Sequence, residues 1–119
     1  MLVDTSVWVD HLRRSNPLLV DLLEQAQVVI HPFVVGELAC GNLAQRATIL
    51  DALSELPHVP AASHAEVLNF VEARKLMGRG LGWIDLHLLA SAMLARVPFW
   101  TVDKRLATVA QELGFGLRN

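Results

Sequence analysis

Short apolar segments alternate with helical patterns along the whole chain, and this alternation limits the possible folds more than any other feature. Strands are predicted at residues 1–3, at residues 28–30, briefly around Val59, and at residues 98–102. Helical spacing fills the segments between them. Such alternation is typical of a parallel sheet covered by helices. We therefore expect an α/β fold of three layers, with a short and mainly parallel central sheet.

Prolines and capping residues set the expected helix boundaries. Pro17 and Pro32 fit the first turns of two helices, Ser63 and Glu66 form a capping box, and Asp103 can cap the last helix. A first helix should follow the polar segment at residues 4–6. The later helices are predicted at residues 17–25, 32–40, 43–56, 64–77, 83–95 and 104–113.

Composition favours a folded domain and argues against a disordered chain. Of the 119 residues, 53% are hydrophobic and 18% are charged, which leaves some apolar surface for a partner. We expect residues 1–119 to form a single domain. Cys40 is the only cysteine, so an intrachain disulfide is excluded and a reducing cytoplasm is the expected location. The longest apolar stretch, residues 83–97, is interrupted by charged side chains, so no membrane segment is expected.

The net charge of −2 does not indicate a protein that binds nucleic acid by bulk electrostatics. Basic residues are instead grouped locally. The groups are Arg13 with Arg14, Arg74 with Lys75 and Arg79, and Lys104 with Arg105.

Four carboxylates occupy positions that the fold alone does not explain. Asp4 and Asp103 follow the first and last predicted strands, and the carboxyl ends of parallel strands meet at one edge of a sheet. Glu37 lies within an apolar helix, which should bring it toward the interior. Asp85 shares a helical stripe with apolar residues three, four and seven positions later. Each acid also has a simpler interpretation: a helix cap for Asp4 and Asp103, a helix-edge residue for Glu37, and a first-turn acid for Asp85.

Convergence of these carboxylates would favour a bound cation, because like charges about 4 Å apart repel by roughly 4 kcal/mol at an effective dielectric near 20. An all-oxygen set favours Mg²⁺ or Mn²⁺. The five histidines lack the spacing of a zinc site. His87 is predicted at the surface or in an interface, and Trp8, Trp83 and Trp100 are predicted as core or dimer contacts.

Four segments in this order resemble the VapC toxins of the PIN-domain superfamily. The resemblance rests on residues 1–8 (MLVDTSVW), 36–38 (GEL), 82–90 (GWIDLHLLA) and 100–106 (WTVDKRL). It implies a PIN-like fold and an Mg²⁺ site (Mn²⁺ possible) made by Asp4, Glu37, Asp85 and Asp103. Asp4 and Asp85 would be the direct ligands. Ser6 and Thr101 match hydroxyl positions that support the site.

The same resemblance implies an activity and partners. The chain would be an endoribonuclease that cuts structured RNA, would form a homodimer, and would be the toxin of a type II toxin–antitoxin system. A cognate antitoxin of the VapB kind would lay its C-terminal tail in an apolar groove and direct a basic residue at the acids.

Two other functions remain open at this point. An aspartyl-nucleophile phosphatase also places an Asp after its first strand and uses Mg²⁺, but such enzymes usually carry a second Asp where this chain has Ser6. A non-enzymatic binding module with a receiver-like or inactive PIN fold would explain the apolar excess. It would not explain the paired burial expected for Asp85 and Glu37.

Overall fold

A parallel sheet joins the distant parts of the chain in the computed structural model, which describes residues 1–117. Strand β1 (Leu2–Val3) pairs with β2 (Phe99–Trp100) in parallel. Single parallel bridges extend this sheet, from Leu2 to Val29, from Ile30 to His58, and from Phe99 to Gly116. The parallel sheet expected from the alternating pattern is therefore confirmed, although most of its members are only one or two residues long.

Helices fill the rest of the described chain and mostly agree with the sequence pattern. Their bounds are α1 (Thr5–Arg13), α2 (Pro17–Glu24), α3 (Pro32–Ala39), α4 (Arg46–Ser54), α5 (His64–Arg74), α6 (Trp83–Ala95) and α7 (Lys104–Glu112). The capping box of α5 is confirmed, with Glu66 N donating to Ser63 Oγ and Ser63 N donating to Glu66 Oε1.

Two helix ends differ from the prediction by three residues, the start of α4 and the end of α5, and a left-handed residue lies at each of them. Gln45, with φ of 52°, stands just before α4, so this helix begins at Arg46. Lys75, with φ of 54°, ends α5 at Arg74. A residue in this conformation cannot continue a right-handed helix.

The sheet is buried from both sides. Leu2, Val3 and Ile30 are fully buried, and Phe99 is 1% exposed. A parallel sheet with no accessible face needs helices on both of its faces. The molecule thus has the α/β architecture that the sequence predicts, and the carboxyl ends of β1 and β2 open at a shared edge.

Helix α6 is buried around its whole circumference in its middle section. Residues 86–92 are all buried, and His87 is only 5% exposed. The prediction of a surface or interface position for His87 is therefore wrong. The prediction assumed that one face of the helix is exposed to solvent, whereas a helix that is apolar on all sides lies in the interior.

The tryptophans differ in their surroundings. Trp8 is 4% exposed and belongs to the core, as predicted. Trp83 is 39% exposed, and its ring packs against His64 and His87. Trp100 is partly buried against the core.

Among residues 1–117, no helix is both long enough and apolar enough to cross a membrane.

A buried histidine begins α3. His31 is fully buried, and its Nδ1 accepts a hydrogen bond of 2.9 Å from the backbone N–H of Phe33. This bond places the proton of the neutral ring on Nε2. Burial, together with the nearby His87, lowers the pKa of His31 from 6.5 to about 4. The fold is therefore built for the neutral imidazole.

Stability is expected to fall as the pH drops from 6.5 toward 4. In this window the unfolded chain binds a proton at His31 that the folded chain does not, so His31 reduces the free energy of unfolding by up to roughly 3 kcal/mol. Urea unfolding at a series of pH values measures the slope. His31→Asn keeps an acceptor for the Phe33 N–H and should flatten it. An equal slope in both proteins would show that His31 does not titrate in this way.

Candidate metal centre

Asp4 lies directly after β1 and is buried, with 5% of its surface exposed. It is the N-cap residue of α1, but its side chain makes no capping hydrogen bond. Instead, Oδ2 accepts hydrogen bonds from Ser6 Oγ at 2.6 Å and from Thr101 Oγ1 at 2.7 Å. The simple capping interpretation is therefore wrong for this carboxylate.

The two hydroxyls belong to a network that joins the ends of both strands. Ser6 Oγ and Thr101 Oγ1 lie 3.2 Å apart, and each also accepts a backbone N–H, from Val102 and from Asp103 respectively. The N–H of Asp4 donates to the carbonyl of Trp100 at 2.8 Å. Asp4 is thus fixed in backbone and side chain. Its Oδ1 accepts no hydrogen bond within residues 1–117.

Asp103 follows the β2 segment and is exposed at the start of α7. Its Oδ1 accepts hydrogen bonds from the backbone N–H groups of Arg105 and Leu106, at 2.9 and 3.1 Å. The capping interpretation is confirmed for this residue. One oxygen serves the helix, which leaves the other available to a second partner.

Asp85 lies in the first turn of α6 and is partly buried. Its Oδ2 accepts a hydrogen bond of 3.0 Å from the backbone N–H of Gly82. The pKa of Asp85 is raised above 3.8 because burial disfavours its charge; the Gly82 bond opposes this shift, and the charges of Asp4 and Asp103 add to it. Asp4 and Asp103 therefore both lie close enough to Asp85 to repel its charge.

Glu37 is exposed on α3, so the expectation that its helix brings it inward is wrong. Its position agrees with the helix-edge interpretation. Oε1 accepts a hydrogen bond of 2.7 Å from Thr5 Oγ1, and Thr5 is the first residue of α1, next to Asp4. Glu37 thus lies at the rim of the acidic cluster. Thr5 is a contact that the sequence analysis did not identify, although it stands within the motif at residues 4–6.

No basic side chain neutralises the cluster within residues 1–117, where the one salt bridge joins Arg79 and Glu112. That part of the chain also holds no group of three or more His, Cys, Asp or Glu side chains arranged to bind a metal ion. A metal site here would therefore have at most two direct ligands from this part of the chain. A hard cation such as Mg²⁺, which retains several waters and binds one or two carboxylates, fits this donor set.

Comparisons with known proteins agree with the geometry. The PIN domain family model matches residues 1–112. Two curated relatives, both called Ribonuclease VapC32, come from the Mycobacterium tuberculosis strains CDC 1551 / Oshkosh and ATCC 25618 / H37Rv. Each is 46% identical over 118 residues, which cover 98% of this chain and 95% of the relative. The chain is therefore a VapC-type member of the PIN-domain family.

Proposed function

We propose that this chain is a metal-dependent endoribonuclease and the toxin component of a type II toxin–antitoxin system. The observation that carries the proposal is the state of Asp4. A buried carboxylate at a helix N-terminus normally caps that helix, but here two hydroxyls hold one of its oxygens and leave the other unused. The names of the relatives and the PIN family match support the same activity.

Asp4 and Asp85 would hold a divalent cation directly, and Asp103 and Glu37 would act from the edge of the cluster. The raised pKa of Asp85 supports this arrangement, because an uncompensated charge there is opposed by burial and by its neighbours. When bound, Mg²⁺ or Mn²⁺ can lower the pKa of a water molecule and stabilise the charge that develops on a phosphodiester.

The remaining residues of the cluster keep the carboxylates in position. Ser6 and Thr101 fix the Asp4 side chain by bonds to Oδ2. The Gly82 N–H fixes Asp85, and two backbone N–H groups fix Asp103. Such prior positioning reduces the reorganisation needed during the reaction. The chain thus supplies a rigid set of acids between which a phosphodiester could be oriented.

The Thr101→Val protein is expected to cut RNA about tenfold more slowly than the wild type, because a hydrogen bond to a charged group contributes roughly 1.5 kcal/mol or more. Ser6 still holds Oδ2, so cleavage should not be abolished. Single-turnover cleavage rates measure the effect. Thr108→Val is the matched control, since its hydroxyl bonds only the carbonyl of Lys104 within α7. Equal rates for the two variants would contradict the role given to Thr101.

A groove suited to the proposed antitoxin runs beside α1. One cavity of about 400 Å³ is lined by Leu12, Ile49, Glu37 and Arg13. A second, of about 260 Å³, shares Leu12 and Ile49 and extends toward α2. We propose that the C-terminal helix of a VapB-like antitoxin lies along this apolar groove and places a basic residue against Glu37, at the rim of the acids.

The toxin itself is proposed to act in the cytoplasm as a homodimer of single nuclease domains.

The proposal is tested by incubating purified protein with total bacterial RNA in Mg²⁺ or Mn²⁺, and in EDTA. Discrete fragments that require the metal are expected. Protein purified in parallel with Asp4→Ala reveals any contaminating nuclease, because that activity would persist in the variant. If no RNA fragment requires both the metal and Asp4, the result contradicts the nuclease proposal and favours the phosphatase or the binding module.

A further inference from the structure

The side chain of Arg105 lies against a glycine of the loop that precedes α6. A Cβ atom built on Gly80 would lie 2.6 Å from Arg105 Nη1 and 3.3 Å from Cζ. The guanidinium therefore rests on the bare backbone of Gly80, which has a φ of 79°. A glycine is required here both for the backbone conformation and for the close approach of the arginine.

This contact joins the two elements that carry Asp103 and Asp85. Arg105 is the second residue of α7, and its own N–H donates to Oδ1 of Asp103. The loop under its side chain continues to Gly82, whose N–H donates to Asp85. The guanidinium thus lies at the junction of the two elements that carry Asp103 and Asp85.

The charge of Arg105 is available to a ligand. Its side chain is exposed and forms no salt bridge within residues 1–117. The neighbouring Arg79 differs, because Glu112 binds it at 2.9 Å and thereby ties the loop to the far end of α7. The loop is therefore anchored by one arginine while another lies across it with unused donors.

We infer that Arg105 binds a phosphate of the RNA backbone next to the phosphodiester that is cut, an inference that rests on the proposed nuclease function. The planar guanidinium can donate two parallel hydrogen bonds to a phosphate. A local cation of this kind is needed because the net charge of −2 gives little general attraction for RNA. The acids alone would repel the substrate backbone.

Arg105→Ala should raise the KM for RNA about tenfold and leave kcat within about twofold of the wild type. Arg105→Lys should raise the KM less than Arg105→Ala does, because lysine keeps the positive charge but lacks the two parallel donors of the guanidinium. Arg96→Ala is the matched control. It removes the same charge from the C-terminal end of α6, whereas Asp85 lies in the first turn of that helix.

Two glycine variants test whether the KM depends on where the Arg105 side chain lies, with the arginine itself retained. Gly80→Ala should displace the guanidinium and raise KM as Arg105→Ala does, since a Cβ there collides with the flexible end of Arg105. Gly78→Ala carries a comparable backbone strain, with φ of 71°, but its Cβ would meet no atom within 4 Å. Gly78→Ala is therefore expected to keep the wild-type KM.

Binding is measured separately from cleavage, so that failure of the nuclease proposal is distinguishable. A fluorescein-labelled single-stranded RNA of mixed sequence is titrated with each protein by anisotropy, without divalent metal. Loss of Arg105 should weaken binding about tenfold and reduce the slope of log K against log salt by about 0.7. The inference is overturned if both Arg105→Ala and Gly80→Ala keep the wild-type affinity and salt slope. It is also overturned if the wild type does not bind this RNA. RNA binding that depends on Arg105 without any cleavage would overturn only the proposed catalysis.

Discussion

The Asp4→Asn protein is expected to fold normally and to cut RNA at least about a thousandfold more slowly than the wild type. Asparagine keeps the shape of the side chain, and its amide oxygen can accept the bonds that Ser6 and Thr101 donate. The variant loses the negative charge that would hold the cation. Single-turnover cleavage in Mg²⁺ measures the rate, and thermal unfolding checks that the protein remains folded.

Asp10→Asn is the control for this variant, because Asp10 lies on the same helix and is exposed. It removes the same charge without touching the cluster, and its cleavage rate should equal that of the wild type. A folded Asp4→Asn protein that cuts RNA within about tenfold of the wild-type rate would show that Asp4 is not a metal ligand.

The Asp85→Asn protein is expected to lose at least about a hundredfold in cleavage rate while becoming more stable in EDTA. Asparagine can still accept the Gly82 N–H, but it no longer repels Asp4 and Asp103. Relief of the repulsion at Asp85, which is partly exposed, is of the order of 1 kcal/mol, which raises Tm by roughly 4 °C in a domain of this size. Scanning calorimetry with and without Mn²⁺ measures both effects.

Metal addition should reverse the order of stabilities. Mn²⁺ at about a hundred times its Kd stabilises the wild type by roughly 2.7 kcal/mol, whereas Asp85→Asn should gain much less. Asp51→Asn, on α4 and exposed, controls for the change in net charge. An EDTA form of Asp85→Asn that is less stable than the wild type would mean that the carboxylates do not repel one another as described.

Local sequence signals predicted the helices well. The bounds of α6, residues 83–95, follow from the glycine loop before it and the apolar run within it, and α5 begins where Ser63 and Glu66 predict. These features depend on neighbours in the chain, so the sequence alone contains them.

The sheet was harder to predict, because its members are short. The segment at Gly116 was missed entirely: Phe99 N donates to the carbonyl of Phe115, and Leu117 N donates to the carbonyl of Phe99. Only three residues lie between Gly114 and the end of the described chain, too few for an alternating pattern to be recognised. This bridge exists only because the segment pairs with β2.

The four acids were selected from the sequence, but the hydrogen bonds that each of them makes were only partly predicted. The Asp103 cap is local and was predicted, but Asp4 does not cap its helix, because its Oδ2 accepts a hydrogen bond from Thr101, which is 97 residues away in the chain. The contact between Arg105 and Gly80 is equally non-local. Hydrogen bonds of this kind follow from the assembled sheet and have no signature in residue spacing.

The most direct test of the metal centre is the anomalous diffraction of crystals grown with Mn²⁺. We predict a single strong peak, or a close pair, within coordination distance of the Asp4 carboxylate and on its Oδ1 side, with Asp85 as the second protein ligand. The peak should be absent in crystals of Asp4→Asn. Fully occupied Mn²⁺ elsewhere on the protein and none at Asp4 would contradict the assignment of these acids as the catalytic metal site.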